Sequence, residues 1–297
     1  MIVAAELAAW VMLHTGKLEQ DETFQKLVED NLHNMKEHRY PLWLIGNSTL
    51  EFGIDEKQLS KNLGLPVIKL CHGGANVMGS AAMLDFYLNE SSFKPEYVMI
   101  AIFKDDLNRN SLFAQMSEKY REFMTWRKYV KNYSWLRSVR RSLYVKILKQ
   151  WSRMFVKKEN LQTWKEKYEI IFRVEDPDKL GSEMMKDYTF DVDGIMFYSE
   201  ICRRYGLTHI GIVLLPITDN YAERHNREFP RMTYQIIRKS LREMCAKLGI
   251  TIIDLGEPLA NDNFRKADFG VHLGEQGSQY VTGLLSKKLL PIIHGAR

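Results

Sequence analysis

Residues 42–49 read Leu42-Trp43-Leu44-Ile45-Gly46-Asn47-Ser48-Thr49. Four apolar residues end at a glycine, and a serine follows two positions later. A buried strand of an α/β sheet delivers a hydroxyl group to the edge of the sheet by this pattern. Gly46-Asn47-Ser48 is also a good ordinary turn. Ser48 is therefore either a turn residue or a nucleophile, and a partner base elsewhere in the chain would favour the nucleophile.

Four more apolar runs follow, separated by helical patterns, at residues 67–70, 97–103, 209–215 and 250–255. Continuous apolar strands that alternate with helices are typical of a parallel sheet covered on both faces. The sequence therefore predicts an α/β fold with a flavodoxin-like, doubly wound, five-stranded parallel sheet. Ligands of such sheets bind outside the carboxyl ends of the strands. The chain places Ser48, Gly74 and Asp105 at those ends.

The composition is that of a globular protein. Of 297 residues, 45% are hydrophobic and 27% are charged, which excludes a disordered chain and a multi-span membrane protein. Three widely spaced cysteines indicate neither a disulfide framework nor a zinc site. Residues 1–13 are apolar but shorter than the ~20 residues of a spanning helix. Segment 1–38 is thus predicted to be helical, either packed on the domain or the end of a membrane anchor, and residues 39–297 are predicted to form the α/β domain.

The alternation of strands and helices stops between about residues 107 and 190, where a helical insertion is predicted. Residues 119–167 carry fifteen Lys and Arg against three Glu, in a chain of net charge +5. The insertion is either a cap with its aromatic side chains inward, or a lid or surface for anionic lipid or glycan. Nucleic acid would use the same charges, but no nucleic-acid module is recognisable, so none is expected as a partner.

A partner for Ser48 stands near the other end of the chain. Asp268 and His272 lie on one short loop, just before a helix predicted at residues 275–290. A serine hydroxyl is a poor nucleophile until an imidazole takes its proton and a carboxylate orients that imidazole. One loop that carries both groups can bring them to the serine together.

These residues resemble the blocks of the SGNH/GDSL hydrolases. Gly46-Asn47-Ser48 is similar to the Gly-Asp-Ser of the first block, and Gly53-Ile54-Asp55 follows as in envelope-associated members. Residues 67–74 resemble the second block and place Gly74 where a backbone N–H helps to bind the oxyanion. The last block is Asp-x-x-His, which Asp268 and His272 match apart from one residue of spacing. The resemblance covers about residues 41–103 and 209–290, and it implies no metal or organic cofactor.

The third block departs from the family, in which Gly-x-Asn-Asp supplies an asparagine that donates to the oxyanion. This chain reads Phe-Lys-Asp-Asp there, with Asp105 at the asparagine position. A carboxylate cannot donate unless it is protonated, although the two acidic residues could also simply start a helix. The oxyanion hole then either relies on the backbone N–H groups of Ser48 and Gly74, or recruits Asn76 or Asn108.

The histidine loop also departs from the family. Three residues separate Asp268 from His272, where the family has two. Either a bulge absorbs the extra residue, or Asp262 or Asp254 orients the imidazole, or the site is a Ser–His dyad. A further histidine, His225, is predicted to be solvated surface, with contact to substrate as its alternative.

Together these features predict a serine esterase or O-acyltransferase that forms an acyl-enzyme at Ser48. The resemblance implies a substrate with ester or acetyl groups, as on a cell-surface polysaccharide. It also implies an envelope location, membrane-anchored or extracytoplasmic, to which a cytoplasmic location is the alternative. The alternative function is a catalytically weak SGNH-like protein that binds a glycan or takes part in envelope assembly.

Overall fold

The computed structural model describes residues 22–109, 188–264 and 271–295. The chain divides into two compact units, Met1–Asp30 with Arg121–Glu183, and Asn31–Tyr120 with Met184–Arg297. The described part of the first unit is only the start of helix α1 (Glu22–Glu37). Most of the predicted N-terminal segment and insertion therefore lies outside the described residues, and so does Asp268. Within the described ranges, no helix has the length and apolarity that crossing a bilayer requires.

Five parallel strands form the sheet of the second unit. They are β1 (Leu42–Gly46), β2 (Val67–Cys71), β3 (Tyr97–Ile102), β4 (His209–Leu214) and β5 (Thr251–Asp254). Their order is β2-β1-β3-β4-β5, which is the flavodoxin-like, doubly wound arrangement. The predicted fold class is confirmed. Because every strand runs the same way, the turns that follow β1, β2 and β3 all lie at one edge of the sheet.

Within the described ranges, seven further helices connect and cover the strands. They are α2 (Ser48–Gly53), α3 (Glu56–Leu63), α4 (Val77–Glu90), α5 (Val192–Arg204), α6 (Asp219–Glu228), α7 (Tyr234–Leu248) and α8 (Glu275–Gly295). Asp55 is the N-cap of α3, and its carboxylate accepts a hydrogen bond from the Gln58 backbone N–H at 3.0 Å. Two helices, α6 and α7, connect β4 to β5. The first of them ends at Glu228, two residues before Pro230, which cannot continue it.

The central strand β1 is buried along its whole length. Leu42 and Leu44 lie in a core cluster that also contains Leu59 of α3 and Leu285 of α8. Side chains alternate across a strand, so the residues between them face the opposite side of the sheet. Helix α4 packs against α5 there. The sheet is thus covered on both faces, as uniformly apolar strands require.

Candidate active site

The predicted nucleophile begins a short helix at the carboxyl end of β1. The strand ends at Gly46, where a Cβ atom would lie 2.5 Å from the Ala101 carbonyl oxygen of β3, so only glycine fits. Asn47 is the N-cap of α2, and its side-chain oxygen accepts a hydrogen bond from the Thr49 backbone N–H at 2.9 Å. Ser48 is therefore the first residue of a helix, and not part of an ordinary turn.

The structure brings His272 to Ser48 from the opposite end of the chain. The Nε2 atom of His272 lies 2.8 Å from the Ser48 Oγ atom, and both residues are half-buried. The imidazole ring packs edge-on against the ring of Phe52, with ring centroids 5.0 Å apart. Phe52 lies one helical turn after Ser48, so the same short helix carries the hydroxyl and orients the imidazole.

Close packing at the start of α8 sets the position of the histidine loop. Leu273 is buried in the core cluster beneath the loop. The Gly274 backbone N–H donates to the Asn263 carbonyl oxygen at 2.8 Å. In the first turn of α8, a Cβ atom on Gly277 would collide with that same carbonyl oxygen. His272 is therefore held by a helix that approaches the preceding turn more closely than a side chain would allow.

The carboxylate partner of His272 falls in part outside the described residues. Asp268 lies in the gap at 265–270, and its role stays a prediction. Asp254, an alternative, accepts hydrogen bonds from the Arg238 Nε atom at 3.1 Å and from Arg242. Burial by itself would raise the pKa of Asp254, but these bonds lower it below its ordinary value. Asp254 is thus engaged by two arginines, and Asp262 lies at an exposed position.

The glycine turn, which is residues 72–75 after β2, lies directly beside the serine turn, which is residues 46–48 at the end of β1. The His72 backbone N–H donates to the Gly46 carbonyl oxygen at 2.8 Å, and the Asn47 side-chain amide donates to the Ala75 carbonyl oxygen at 3.0 Å. Gly74 lies between these two contacts in sequence, is buried, and has a φ of 71°. Glycine adopts this left-handed conformation at the least cost. The structure therefore places the predicted oxyanion residue next to the turn that carries Ser48.

The two asparagines considered as replacement donors make contacts elsewhere in the fold. Asn76 is the N-cap of α4, and its side-chain oxygen accepts a hydrogen bond from the Gly79 backbone N–H at 3.0 Å. Asn108 is fully buried, and its side-chain oxygen accepts from the Thr189 backbone N–H at 3.0 Å. Asn108 thus joins the two described ends of the predicted insertion. A part for either residue in oxyanion binding stays a prediction.

Asp105 is bound in an ion pair that sequence reasoning missed. Lys104 is fully buried, and its Nζ atom lies 2.5 Å from the Asp105 Oδ1 atom. The Asp105 Oδ2 atom accepts a hydrogen bond from the Tyr221 hydroxyl at 2.5 Å. Both carboxylate oxygens therefore have donors, and an ammonium group balances the charge. This reduces the repulsion that a lone carboxylate at this position would exert on an oxyanion.

His225 is buried beside Lys104 and Asp105, so the prediction that it is solvated surface is wrong. Its Nε2 atom lies 2.8 Å from the Met232 carbonyl oxygen. A carbonyl can only accept, so Nε2 carries the ring proton. The Nδ1 atom then accepts from the Lys104 Nζ atom at 3.0 Å. Burial, together with the Lys104 charge, lowers the pKa of His225 to about 4.

A second buried carboxylate, Asp106, reaches the serine turn itself. Its Oδ1 atom accepts from the Asn47 side-chain amide at 2.7 Å, and its Oδ2 atom accepts from the Phe103 backbone N–H at 3.0 Å. Burial raises the pKa of Asp106 well above its ordinary value. From the sequence, Asp106 was expected only to start a helix. The signal that could have found the pair is the asparagine before Ser48, which supplies the donor that a buried carboxylate needs.

An open cleft of about 530 Å³ begins beside the Ser48–His272 pair. Its lining includes Phe52, whose ring packs against His272, and Leu273, the next residue in the chain, while the pair itself does not line it. The charged side chains of its described lining are Glu51, Asp55, Glu56, Glu275, Lys57 and Lys69. Across residues 22–109, 188–264 and 271–295, no group of three or more His, Cys, Asp or Glu side chains is arranged to hold a metal ion.

Comparison with known proteins gives likeness in fold. No family model matches the sequence, and no curated protein matches it either. The lipase/acylhydrolase from Enterococcus faecalis has a TM-score of 0.44 and 12% identity, over 85% of this chain and 96% of that chain. The carbohydrate acetylesterase family member from Sinorhizobium meliloti has a TM-score of 0.39 and 14% identity, over 86% and 97%. At such identities and TM-scores, these likenesses carry no argument about the activity of this chain.

Proposed function

We propose that this protein is a serine esterase or acyltransferase, with Ser48 as nucleophile and His272 as general base. The distance of 2.8 Å between the Ser48 Oγ and His272 Nε2 atoms carries the proposal. It joins residues 224 positions apart in the sequence, at the edge of the sheet where doubly wound folds bind ligands. A hydrogen bond of this length lets the imidazole take the hydroxyl proton as the serine attacks.

In the first half-reaction, Ser48 Oγ attacks the ester carbonyl carbon and His272 Nε2 takes the hydroxyl proton. The new carbon–oxygen bond turns the carbonyl oxygen into an oxyanion. Collapse of this intermediate breaks the ester bond, and the proton on Nε2 passes to the leaving alcohol. The acyl group stays on Ser48. Nε2 must begin without a proton, so the ring proton lies on Nδ1, and we propose that Asp268 holds it there.

In the second half-reaction, the acceptor decides the product. Water gives up a proton to His272 Nε2 and attacks the acyl carbon. The bond from that carbon to Ser48 Oγ then breaks, Nε2 returns the proton to Oγ, and the acid leaves, which is hydrolysis. A sugar hydroxyl in the same place receives the acyl group, which is O-acylation. We propose ester or acetyl groups of a cell-surface polysaccharide as substrate. The SGNH-type resemblance supports this proposal, as does the basic, aromatic composition of residues 119–167, which suits an anionic envelope surface.

The oxyanion is proposed to bind the backbone N–H groups of Ser48 and Gly74. The adjacency of the two turns supports this assignment, and the engagement of both Asp105 oxygens by other donors argues against a third donor at that position. Loss of one oxyanion donor typically lowers kcat by about 10²–10³. A slow turnover is therefore expected.

Covalent labelling tests the proposal. A fluorophosphonate should label Ser48 in the folded wild-type protein, and peptide mass spectrometry would identify the site. Ser48→Ala should abolish labelling, and His272→Gln should slow it by about 10³-fold or more, because the base is lost. Ser60→Ala is the matched control, since Ser60 is a half-buried serine whose hydroxyl accepts from the Val67 backbone N–H instead.

An unlabelled Ser48 in folded protein, with ester hydrolysis unchanged in Ser48→Ala, would contradict the enzyme proposal. The remaining candidate would then be a catalytically weak binding protein. The buried ion pair at the usual position of an oxyanion amide favours that candidate. Retained glycan binding by Ser48→Ala, measured by calorimetry, would be its direct support.

A further inference from the structure

The buried side chain of Asn47 contacts three chain segments around the site. Its Nδ2 atom donates to the Ala75 carbonyl oxygen at 3.0 Å and to the Asp106 Oδ1 atom at 2.7 Å. Its Oδ1 atom accepts from the Thr49 backbone N–H at 2.9 Å and from the Thr49 hydroxyl at 2.6 Å. Ala75 belongs to the glycine turn, Thr49 to helix α2, and Asp106 to the turn after β3.

The chemistry of this position is specific to an amide. An asparagine side chain has two N–H donors and an oxygen with two acceptor sites, and the contacts of Asn47 use all four. An aspartate has no donor for the Ala75 carbonyl or for the Asp106 carboxylate. The Asn47 side chain is 2% exposed, so water has little access to replace a lost bond. Asn47 therefore links the three segments through one side chain, beyond the strand pairing of β1 with β2 and β3.

We propose that Asn47 is a positioning residue that locks the serine turn against the glycine turn, so that the backbone N–H groups of Ser48 and Gly74 face one oxyanion. This inference rests on the proposed function. A hole built from two backbone donors works only while their separation is right, and an error of about 1 Å can lower the rate about 100-fold. Asp106 is the fixed end of the lock, because the Phe103 backbone N–H holds its other oxygen.

The Asp106 carboxylate makes the role of Asn47 testable by a change of pH. Asn47→Asp would place a second carboxyl group against Asp106, and the two could keep their contact only by sharing a proton. Other ionisable groups around Asp106 are Asp105, paired with Lys104, and Tyr188. The shared proton is present at low pH and leaves as the pH rises. The rate of Asn47→Asp relative to wild type should therefore fall as the pH rises.

The experiment measures the rate of Ser48 labelling by a fluorophosphonate, and kcat and KM for a soluble aryl acetate, with the full chain between about pH 5.5 and 8.5. Asn47→Ala should lower kcat about 100-fold with KM changed less than about threefold. Asn47→Asp should lower kcat by a similar factor near the upper pH. Near the lower pH, the kcat of Asn47→Asp relative to wild type should recover about tenfold. Asn47→Asp combined with Asp106→Asn should recover about tenfold at the upper pH, because the amide now donates from position 106.

Thr233→Ala is the matched control for a lost helix cap, since the Thr233 hydroxyl oxygen caps α7 by accepting from the Ile236 backbone N–H. It should lower the melting temperature without changing the labelling rate. A kcat for Asn47→Ala within about threefold of wild type, or a loss confined to KM, would overturn the inference. If Asn47→Ala does not fold, a pH-independent ratio for Asn47→Asp overturns it. Normal labelling in the Asn47 variants removes this inference alone, whereas an unlabelled wild type removes the proposed function with it.

Discussion

Lys104 is an ammonium group without solvent exposure, and its neighbours explain how it is tolerated. Taking such a charge out of water costs several kcal/mol. Burial lowers the pKa of Lys104, and the charge of Asp105 acts in the opposite direction. The His225 Nδ1 atom and the face of the Tyr221 ring, 4.4 Å from Nζ, complete the shell. At the residue scale, the turn after β3 thus neutralises its carboxylate instead of presenting an amide to substrate.

This cluster predicts a pH dependence of stability. The pKa of His225 is lowered to about 4 from 6.5, so between these values the unfolded chain binds a proton that the folded chain does not. Stability should therefore fall on acidification through this window, by about 3 kcal/mol in total from His225. His225→Gln removes the titration while its amide can still bond to Lys104 and to the Met232 carbonyl. Urea unfolding at several pH values would measure the difference.

Asp106 has the opposite effect on the pH dependence of stability. The comparison of His225→Gln with wild type separates the contribution of His225 from that of Asp106. Because the pKa of Asp106 is raised, that carboxylate stabilises the fold at low pH and loses this contribution as the pH rises. It is the same in both proteins and cancels in the difference. Equal losses of stability in the two proteins between about pH 6.5 and 4 would show that His225 is not the neutral buried ring described above.

At the scale of elements, helix α8 connects the core to the histidine loop. Its buried residues, among them Val281 and Leu285, pack in the cluster beneath β1. Its first turn approaches Asn263 so closely that Gly277 has no room for a Cβ atom. A change in the docking of this helix should therefore move His272 relative to Ser48, although neither residue is altered.

Gly277→Ala should lower the free energy of unfolding by about 1–3 kcal/mol, because the new methyl group displaces α8 from the preceding turn. It should also lower kcat/KM about tenfold or more, since the imidazole shifts from the serine. Gly283→Ala is the matched control on the same helix, where a Cβ atom meets nothing within 4 Å. Alanine is the better helix former by about 1 kcal/mol, so this control should be slightly stabilised and fully active.

Thermal unfolding and ester hydrolysis of the two variants would decide the point. A Gly277→Ala protein as stable and as active as Gly283→Ala would show that the close approach of α8 to Asn263 does not position the histidine. Loss of stability without loss of kcat/KM would separate the packing of the helix from the geometry of the dyad.

At the scale of the whole molecule, the described ends of the long segment after β3 are joined to each other. The Arg109 backbone N–H donates to the Thr189 carbonyl oxygen at 2.8 Å, and the Asp191 backbone N–H donates to the Leu107 carbonyl oxygen at 2.8 Å. Asn108 forms an antiparallel bridge with Phe190. In the unit that contains the sheet, the backbone just before residue 110 is therefore hydrogen-bonded to the backbone just after residue 187.

A chain of residues 31–297 in which a linker of about four Gly and Ser residues replaces 110–187 should fold, because adjacent strand-like ends need only a short turn. It should melt cooperatively, and a fluorophosphonate should label Ser48 at a rate within about tenfold of the full chain. Flotation with vesicles of anionic lipid should be weaker than for the full chain, if the basic segment is the lipid-facing surface. An insoluble or uncooperative product would contradict the independence of the sheet unit.

The sequence by itself determined the sheet and the pairing of Ser48 with His272. Uniformly apolar strands separated by helices leave few arrangements other than a covered parallel sheet, and the order β2-β1-β3-β4-β5 agrees with that expectation. A serine after the first strand and a histidine before the last helix could be paired from their positions, because both elements end at the same edge. Ser48 and His272 do meet, at 2.8 Å.

Only the tertiary structure decided how the polar residues around them are used. No sequence pattern links Lys104 and Asp105 to the distant His225. Whether a charge is buried depends on packing that no local sequence period encodes. The same holds for Asn47, which in sequence is one residue of a turn and in the structure bonds to three segments. Desolvation makes each of these contacts consequential, because a polar group that water cannot reach must find its partners within the fold.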